Sequence, residues 1–238
     1  KYIDSRRKES DLRSFNEKLS LSGLEFDVKW NGKTYTLKSD LSGRFNIYNI
    51  LASVSTVLQY DIDMPMIQST LLNFQEVKGR FNRVKLPNGA IAVIDYSHTS
   101  DSLKNAIESA REITDEEKRF GRVITIFGCG GNKDRTKRPV MGELAAGLSD
   151  QAIITSDNPR FEEPMDIIEE IISGIKDKKN FEVIENREEA IKKGLEISRE
   201  GDIVLICGKG HETYQEVKGI RTHFDDKEIV GKYSHTAK

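Results

Sequence analysis

The chain has 238 residues, and its 37 Lys and Arg against 39 Asp and Glu leave a formal net charge of −2. Charges that nearly cancel and are spread along the chain give no electrostatic reason to expect nucleic acid or an anionic membrane as a partner. No apolar run approaches the roughly 20 residues that a membrane-spanning helix needs, and the N-terminus has no signal-peptide core. Cys129 and Cys207 form no CxxC pair. We therefore expect reduced thiols in a cytoplasmic protein, which we also expect to be a monomer.

The first ten residues, KYIDSRRKES, contain neither a Met nor a helix cap. Such a beginning is typical of the middle of a longer protein, and we expect the chain to be a fragment of one. Further along, EVKGRFNRVKLP changes from a helical to a strand pattern around Gly79. We take that change as a boundary between two domains, residues 1–78 and residues 79–238.

The segment Asn31-Gly32-Lys33-Thr34 has the form of the end of a phosphate-binding loop. Such a loop needs a glycine five residues before Gly32, but Asp27 stands there, and a carboxylate would repel phosphate. Apolar residues alternate on both sides, as they do in strands, and Asn-Gly suits a type I′ turn because that turn needs positive φ at both central residues. The segment therefore predicts a β-hairpin, and a nucleotide site must lie elsewhere.

Two helices are predicted after the hairpin. In LSGRFNIYNILASVSTVLQYDI the apolar residues from Ile47 to Leu58 recur with the 3.6-residue period of a helix that buries one face. MPMIQSTLLNF predicts a second, shorter helix. Because the two strands of the hairpin cannot complete a sheet, we expect the apolar face of the first helix to be partly exposed or covered by another chain.

From residue 80 onward, apolar strands alternate with helices. The strand candidates are AIAVIDY (90–96), RVITIFG (122–128), QAIITS (151–156), FEVIE (181–185) and DIVLICG (202–208). The helix candidates between them are SDSLKNAIESAREI, RPVMGELAAGL, PMDIIEEIISGI and NREEAIKKGLEISRE. This alternation predicts an α/β fold with a doubly wound, mostly parallel sheet.

Polar segments follow four of these strands. They are DYSH (95–98), GCGGNKDRTKRP (128–139), SDNPRFEEP (156–164) and GKGHETYQ (208–215). Each alone fits ordinary turn and cap residues. Ligands of doubly wound sheets bind at the carboxyl ends of the strands, so four such segments at one edge predict a ligand site.

The charges in these segments suit an amino acid. The glycine turn at Gly128 lacks the G-x-G-x-x-G pattern, which argues against a nicotinamide dehydrogenase. The charged residues after it predict an anion site, for phosphate or carboxylate: Lys133, Asp134, Arg135, Lys137 and Arg138. Pro159 fixes the loop that aims Arg160, whose guanidinium fork suits a carboxylate, and Glu212 offers a carboxylate to an ammonium group. Arg160 and Glu212 predict a receptor for a zwitterion, or a structural ion pair with each other.

Arg80 and Asp95 lie close to the domain boundary. Arg80 is suited to neutralising a phosphate, and Asp95 to accepting hydrogen bonds from ribose hydroxyls. His98 fits packing as well as chemistry, whereas His223 and His235 carry no pattern and are interpreted as structural.

Six motifs in this order resemble the Mur ligase family, in its UDP-N-acetylmuramoyl-tripeptide synthetase (MurE) branch: GRFNIYNILAS, VKGRFNRV, VIDYSHTSDSL, FGCGGNKDRTKRPVMG, TSDNPRFEEP and GKGHETYQ. The last three are specific to this branch. The resemblance implies that residues 1–78 are the C-terminal part of the central ATP-binding domain. Residues 79–238 would be the Rossmann-like C-terminal domain that binds the amino acid. The family's phosphate loop and its main magnesium ligands would lie upstream of Lys1.

The resemblance implies an ATP- and Mg²⁺-dependent amide ligase of peptidoglycan precursor synthesis. It would add meso-diaminopimelate to UDP-MurNAc-L-Ala-D-Glu through an acyl phosphate, and the fragment alone is expected to be inactive. Asn49 is implied to contact adenine, Arg80 to be the catalytic phosphate contact and Asp95 to contact the ribose. The implied amino-acid-binding residues are Lys133, Asp157, Asn158, Pro159, Arg160, Gly208 and Glu212.

One departure from the family leaves the substrate open. Lys133 stands where the family usually has Arg, which keeps the charge but loses the fork. Lanthionine, a thioether-bridged diamino diacid, is therefore an alternative to meso-diaminopimelate. L-lysine is a further alternative, although enzymes that add it usually lack the counterpart of Arg160. Two other interpretations are a ligase similar to folylpolyglutamate synthase and a non-catalytic module that binds diamino acids.

Overall fold

The computed structural model describes residues 12–74, 77–116, 121–177 and 179–236. The chain divides into two compact units, residues 1–76 and residues 77–238. This division lies two residues before the boundary that the sequence predicts. The first ten residues, on which the expectation of a longer protein rested, lie outside the described part.

The first unit contains a three-stranded antiparallel sheet. Its strands are β1 (Ser14–Ser20), β2 (Gly23–Trp30) and β3 (Lys33–Ser39), in the order β1-β2-β3. Asn31 and Gly32 connect β2 to β3 with φ values of 47° and 77°, both positive as a type I′ turn requires. The predicted hairpin is confirmed, and β1 is an additional strand that the sequence pattern did not reveal.

Helices α1 (Phe45–Val57) and α2 (Met64–Leu72) complete the described part of this unit. The apolar face of α1 is buried: Ile47, Ile50, Leu51 and Val54 are at most 3% exposed. At its C-terminal end, Val57 is half-buried, as is Leu58, which follows the helix. The expectation that this face would be exposed or need another chain is therefore wrong for most of the helix. The third strand explains part of the error, because all three strands and both helices contribute buried apolar side chains.

The second unit is built on a six-stranded sheet with the order β4-β5-β9-β6-β7-β8. β4 is antiparallel to β5, and all other neighbours are parallel. The strands are β4 (Asn82–Lys85), β5 (Ile91–Asp95), β6 (Val123–Phe127), β7 (Gln151–Ile154), β8 (Phe181–Val183) and β9 (Ile203–Cys207). β5, β6 and β9 are buried along their whole length, as continuous apolar strands predict.

Five helices of this unit pack in two groups. They are α3 (Ser100–Glu116), α4 (Lys137–Leu148), α5 (Pro164–Ile172), α6 (Arg187–Ile197) and α7 (Asp226–Tyr233). α4 packs between α3 and α5, while α6 packs against α7. The sheet and the last two helices share a core of buried apolar side chains, which includes Ile126, Ile191 and Val230. The predicted α/β fold with a mostly parallel, doubly wound sheet is confirmed.

A second hairpin, β10 (Tyr214–Val217) with β11 (Ile220–His223), follows the sheet and was not predicted. The central residues of both strands are polar, β11 is exposed and β10 is mostly half-buried, so these short strands carry no alternating apolar pattern. Cys129 and Cys207 are free and buried, and burial raises the pKa of the Cys129 thiol to about 12. Within the described ranges, no helix is long and apolar enough to cross a membrane.

Candidate functional site

Four loops of the second unit meet at one edge of the sheet. They follow the carboxyl ends of β5, β6, β7 and β9, which are parallel neighbours in the sheet. Backbone bonds connect them: Gly208 N donates to Asp95 O at 3.1 Å, and Gly131 N donates to Asn158 O at 2.9 Å. The predicted meeting of four polar segments at one edge is therefore confirmed.

The hairpin β10–β11 holds the loop that carries Arg160. Glu216 N donates to Asn158 Oδ1 at 3.0 Å, Arg160 N donates to Glu216 O at 3.0 Å, and Lys218 N donates to Arg160 O at 2.5 Å. Arg160 has a φ of 54°, a left-handed conformation that is costly for a residue with a side chain. The hairpin thus fixes Arg160 in a backbone conformation that an isolated loop would rarely adopt.

The guanidinium of Arg160 is only partly used by the protein. Its Nη1 donates to Gly131 O at 2.9 Å and to Asn158 O at 3.4 Å. Its Nε and Nη2 make no hydrogen bond to any described residue, and its side chain is half-buried. One side of the fork is therefore available to a carboxylate.

Glu212 lies on the neighbouring loop, after β9. Its Oε2 accepts a hydrogen bond from Asn158 Nδ2 at 2.8 Å. No ion pair joins Glu212 to Arg160 in the part of the chain that the structure describes. The alternative of a structural Arg160–Glu212 pair is therefore not what the structure shows, and Asn158 lies between the two charges, contacting both side chains.

Asp157 and the glycines around it shape the same loop. Asp157 is 8% exposed, and its Oδ1 accepts from Asn158 N at 2.7 Å. Its Oδ2 is buried with no hydrogen-bond partner among the described residues. Gly208 has a φ of 116°, and a Cβ there would lie 2.7 Å from Asp157 Oδ2. A Cβ on Gly131 would lie 1.9 Å from Pro159 O. Gly208 therefore allows the close approach of the Asp157 carboxylate, and Gly131 allows that of the Pro159 backbone.

The glycine-rich loop after β6 differs from its prediction. Arg138 is fully buried, and its Nη1 lies 2.8 Å from both Glu162 Oε2 and Glu170 Oε2. Arg135 pairs with Glu170. Hydrogen bonds from Arg138 lower the pKa of Glu162 to about 2. Two of the cations expected to form an anion site are thus neutralised, whereas Lys133 is exposed and has no ion pair to a described residue.

Asp95 and Arg80 lie next to each other in the second unit. Asp95 is 5% exposed; its Oδ2 accepts from Phe81 N at 2.8 Å, and its Oδ1 accepts from Ser97 N at 2.9 Å and from Ser97 Oγ. Its carboxylate therefore holds the backbone beside Arg80. Arg80 is exposed, with its Cζ 5.1 Å from the centre of the Tyr96 ring. The phosphate and ribose contacts of these two residues stay predictions.

Asn49, the predicted adenine contact, lies in the first unit. It is exposed on α1, and its Nδ2 donates to Asn46 Oδ1 at 3.0 Å. Its role also stays a prediction.

Sequence reasoning missed two buried cations beside the site. Lys209, which lies in the GKGHETYQ segment, is fully buried and donates from Nζ to Asn158 Oδ1 at 2.9 Å. Arg187 is paired with buried Asp226 at 2.7 Å and donates from Nη2 to Cys207 O at 3.0 Å. The Lys between two glycines was a visible signal, but Arg187 opens an ordinary helix and gave none.

The fold defines the class: an α/β domain with a mostly parallel sheet, in which charged loops meet at the carboxyl ends of the strands, the edge where ligands bind in such sheets. The chain belongs to the Mur ligase family, because residues 79–210 match the family's glutamate ligase domain. This finding confirms the resemblance in the motifs.

Individual relatives and solved structures within the family are similar to this chain. A UDP-N-acetylmuramoyl-L-alanyl-D-glutamate–2,6-diaminopimelate ligase of Clostridium acetobutylicum is 41% identical over 226 residues, which are 94% of this chain and 46% of the relative. A solved structure of a ligase with the same name is 31% identical with a TM-score of 0.69, over 97% of this chain and 46% of the other. A MurF ligase from Thermotoga maritima in complex with ADP shares the fold, with 16% identity and a TM-score of 0.64, over 97% of this chain and 48% of that chain. The chain spans about half the length of these proteins.

Proposed function

We propose that this chain supplies the amino-acid-binding part of an ATP-dependent amide ligase. The ligase would add meso-diaminopimelate to UDP-MurNAc-L-Ala-D-Glu, a step of peptidoglycan precursor synthesis in the cytoplasm. The names of relatives that are about 40% identical along almost the whole chain support this proposal. A monomer is the proposed state.

The observation that carries the proposal is the pair of charges on either side of Asn158. Arg160 keeps one side of its guanidinium unbonded by the described residues, and Glu212 presents a carboxylate on the adjacent loop. A carboxylate on the arginine and an ammonium on the glutamate describe one zwitterionic end of a diamino diacid. L-lysine has no second carboxylate to offer to Arg160.

The proposed reaction has two steps. The γ-phosphoryl group of ATP is transferred to a carboxylate oxygen of the muramoyl dipeptide, which releases ADP. The amine of the diamino acid then forms the amide bond at that carbonyl carbon, the bond to phosphate breaks, and the amine loses a proton. Phosphorylation is needed because a carboxylate oxygen is a poor leaving group, and cations must offset the charge on the transferred group.

Three residues are proposed for the nucleotide. Arg80 is proposed as the catalytic contact to phosphate, Asn49 as the adenine contact and Asp95 as the ribose contact. The exposure of Arg80 and Asn49 is compatible with these roles, while Asp95 already accepts three hydrogen bonds from the chain. Residues 12–74, 77–116, 121–177 and 179–236 contain no group of three or more His, Cys, Asp or Glu that could hold a metal ion, and we derive no step through Mg²⁺.

The proposal is tested by phosphate release from ATP with UDP-MurNAc-L-Ala-D-Glu, using the full-length product of the gene that encodes this chain. We expect meso-diaminopimelate to support release and L-lysine to support little. Release with lanthionine at a similar rate would identify the alternative diamino diacid that Lys133 permits. A preference for L-lysine, or no release with any of the three, would contradict the proposed reaction.

A non-catalytic module is the second candidate for the chain alone. The observation that favours it is that Asn31 to Thr34, the segment most similar to a phosphate loop, forms the turn of a hairpin and the first residues of β3. The 238-residue chain is therefore expected to bind the amino acid without turning over ATP.

A further inference from the structure

The turn that carries Glu212 contacts Asn158 with both of its ends. Glu212 N donates to Lys209 O at 2.9 Å, which closes a four-residue turn. Within it Gly210 has a φ of 55°, and a Cβ at Gly210 would lie 2.6 Å from Tyr96 Cβ. The side chain of Lys209 at the start and that of Glu212 at the end both reach the side-chain amide of Asn158.

The polarity of that amide is determined by its partners. Lys209 Nζ at 2.9 Å and Glu216 N at 3.0 Å can only donate, so they face the Asn158 oxygen. The Asn158 nitrogen therefore faces Glu212 Oε2 at 2.8 Å. A reversed amide would place donor against donor and acceptor against acceptor.

Lys209 differs from the other buried cation nearby. Arg187 is paired with Asp226 at 2.7 Å, but among the described residues no carboxylate lies within ion-pair distance of Lys209. Its Nζ instead bonds Tyr214 O at 2.8 Å and lies 5.9 and 5.8 Å from the ring centres of Tyr214 and Phe224. Burial lowers the pKa of Lys209. A buried lysine bonded only to neutral oxygens costs stability, so its effect is to be sought in the geometry that it imposes.

We propose that Lys209 is a positioning residue: its buried Nζ fixes the Asn158 amide and thereby holds the Glu212 carboxylate in place to receive an ammonium group of the amino-acid substrate. The assignment rests on the proposed function for the identity of that substrate. Lys209 itself does not contact the ligand, because its side chain is fully buried.

The test is a double-mutant cycle on binding of meso-diaminopimelate to the 238-residue chain, measured by calorimetric titration. Lys209→Met is expected to weaken binding about tenfold, the effect of losing one hydrogen bond to a charged group. Glu212→Gln should weaken it at least as much, and the double variant no further, because Lys209 acts through Glu212. Lys232→Met is the control, since its exposed Nζ bonds Glu188 at 2.7 Å and contacts neither Asn158 nor Glu212 among the described residues. Independent, multiplying losses, or unchanged binding in Lys209→Met, would overturn the proposal.

A second variant keeps the test decisive if Lys209→Met does not fold. In Asn158→Asp, the new carboxylate still accepts from Lys209 and Glu216 N, but it offers no donor to Glu212 and repels it. We expect a folded protein whose affinity for meso-diaminopimelate falls by at least tenfold. Wild-type affinity in this variant would show that the relay through Asn158 does not exist.

A ligand-free measurement separates this proposal from the proposed function. If the wild-type chain binds no diamino acid, the proposed substrate is wrong. The Lys209 assignment is then decided by NMR exchange of the Asn158 side-chain amide protons with solvent. Faster exchange in Lys209→Met than in Lys232→Met would support a positioning role, and equal exchange would overturn it.

Discussion

Two neighbouring segments of the second unit use their arginines in opposite ways: one is the loop after β6 with the start of α4, and the other is the loop after β7. After β6, Arg138 is fully buried and bonded to two glutamates, both within 2.8 Å. After β7, Arg160 bonds only backbone carbonyl groups and keeps Nε and Nη2 unbonded within the described residues. Both loops looked like ligand-binding segments in the sequence. The difference indicates that a charge already neutralised by the fold supports the site, whereas a charge that the fold leaves open can bind a ligand.

The largest effect should come from the neutralised arginine. Arg138→Met leaves Glu162 and Glu170 without their buried partner, which should lower the free energy of unfolding by about 3–5 kcal/mol. Arg135→Met, which removes an exposed partner of the same Glu170, should cost less than about 1 kcal/mol. Urea unfolding of the 238-residue chain measures both values. Similar losses in the free energy of unfolding for the two variants would contradict the structural role of the buried Arg138.

Arg160, whose guanidinium is only partly bonded by the protein, should affect ligand affinity instead of stability. Arg160→Met should weaken meso-diaminopimelate binding about 10- to 100-fold, since it removes hydrogen bonds to a carboxylate worth roughly 1.5–3 kcal/mol. Binding of L-lysine, which lacks the distal carboxylate, should change little and serves as the control. Calorimetric titration gives both affinities. An equal loss for the two ligands would mean that Arg160 acts through the structure of its loop.

The ion pair of the first loop should also appear in the dependence of stability on pH. The pKa of Glu162 falls from 4.5 to about 2 on folding, mainly because of Arg138. Its contribution is therefore present above pH 4.5 and is lost as the pH falls from 4.5 towards 2. Wild-type stability should decrease more steeply in this window than that of Glu162→Gln. If the free energies of unfolding of wild type and Glu162→Gln, measured at pH 5, 4 and 3, decreased by the same amount, this contribution would be contradicted.

The smallest effect is expected at Lys133, the exposed cation of the first loop. Lys133→Ala should weaken meso-diaminopimelate binding only about two- to threefold, because an exposed charge contributes little. Lys133→Arg should strengthen it, since the fork can bond a carboxylate through two N–H groups. Calorimetric titration of both variants measures these affinities. A loss in Lys133→Ala as large as that in Arg160→Met would indicate that Lys133 also binds the ligand carboxylate directly.

Much of the architecture was readable because the signals were local. Asn31-Gly32 predicted a hairpin through the turn that it favours, and the apolar runs around Ile126 and Leu205 predicted buried parallel strands. β1 was missed because a register shift after Phe15 interrupts its alternation. The hairpin β10–β11 was missed because each strand has only four residues and its two central residues are polar.

The candidate site was predictable only as far as its residues lie in motifs. Arg160 and Glu212 stand in loops at strand ends, so their convergence followed from the topology. The bonds of Lys209 to Asn158 and of Arg138 to two glutamates join segments far apart in sequence. No local sequence pattern reveals which cation the fold will neutralise, because the neutralising partners lie in distant segments of the chain.

The most direct test of the account is a paired titration of the wild-type chain with meso-diaminopimelate and L-lysine. The two ligands share an amino-acid end and differ in the distal carboxylate. We predict at least tenfold tighter binding of meso-diaminopimelate than of L-lysine, and we expect Arg160→Met to abolish this preference. Equal affinities for the two ligands, or a preference that remains in Arg160→Met, would show that Arg160 does not bind the distal carboxylate.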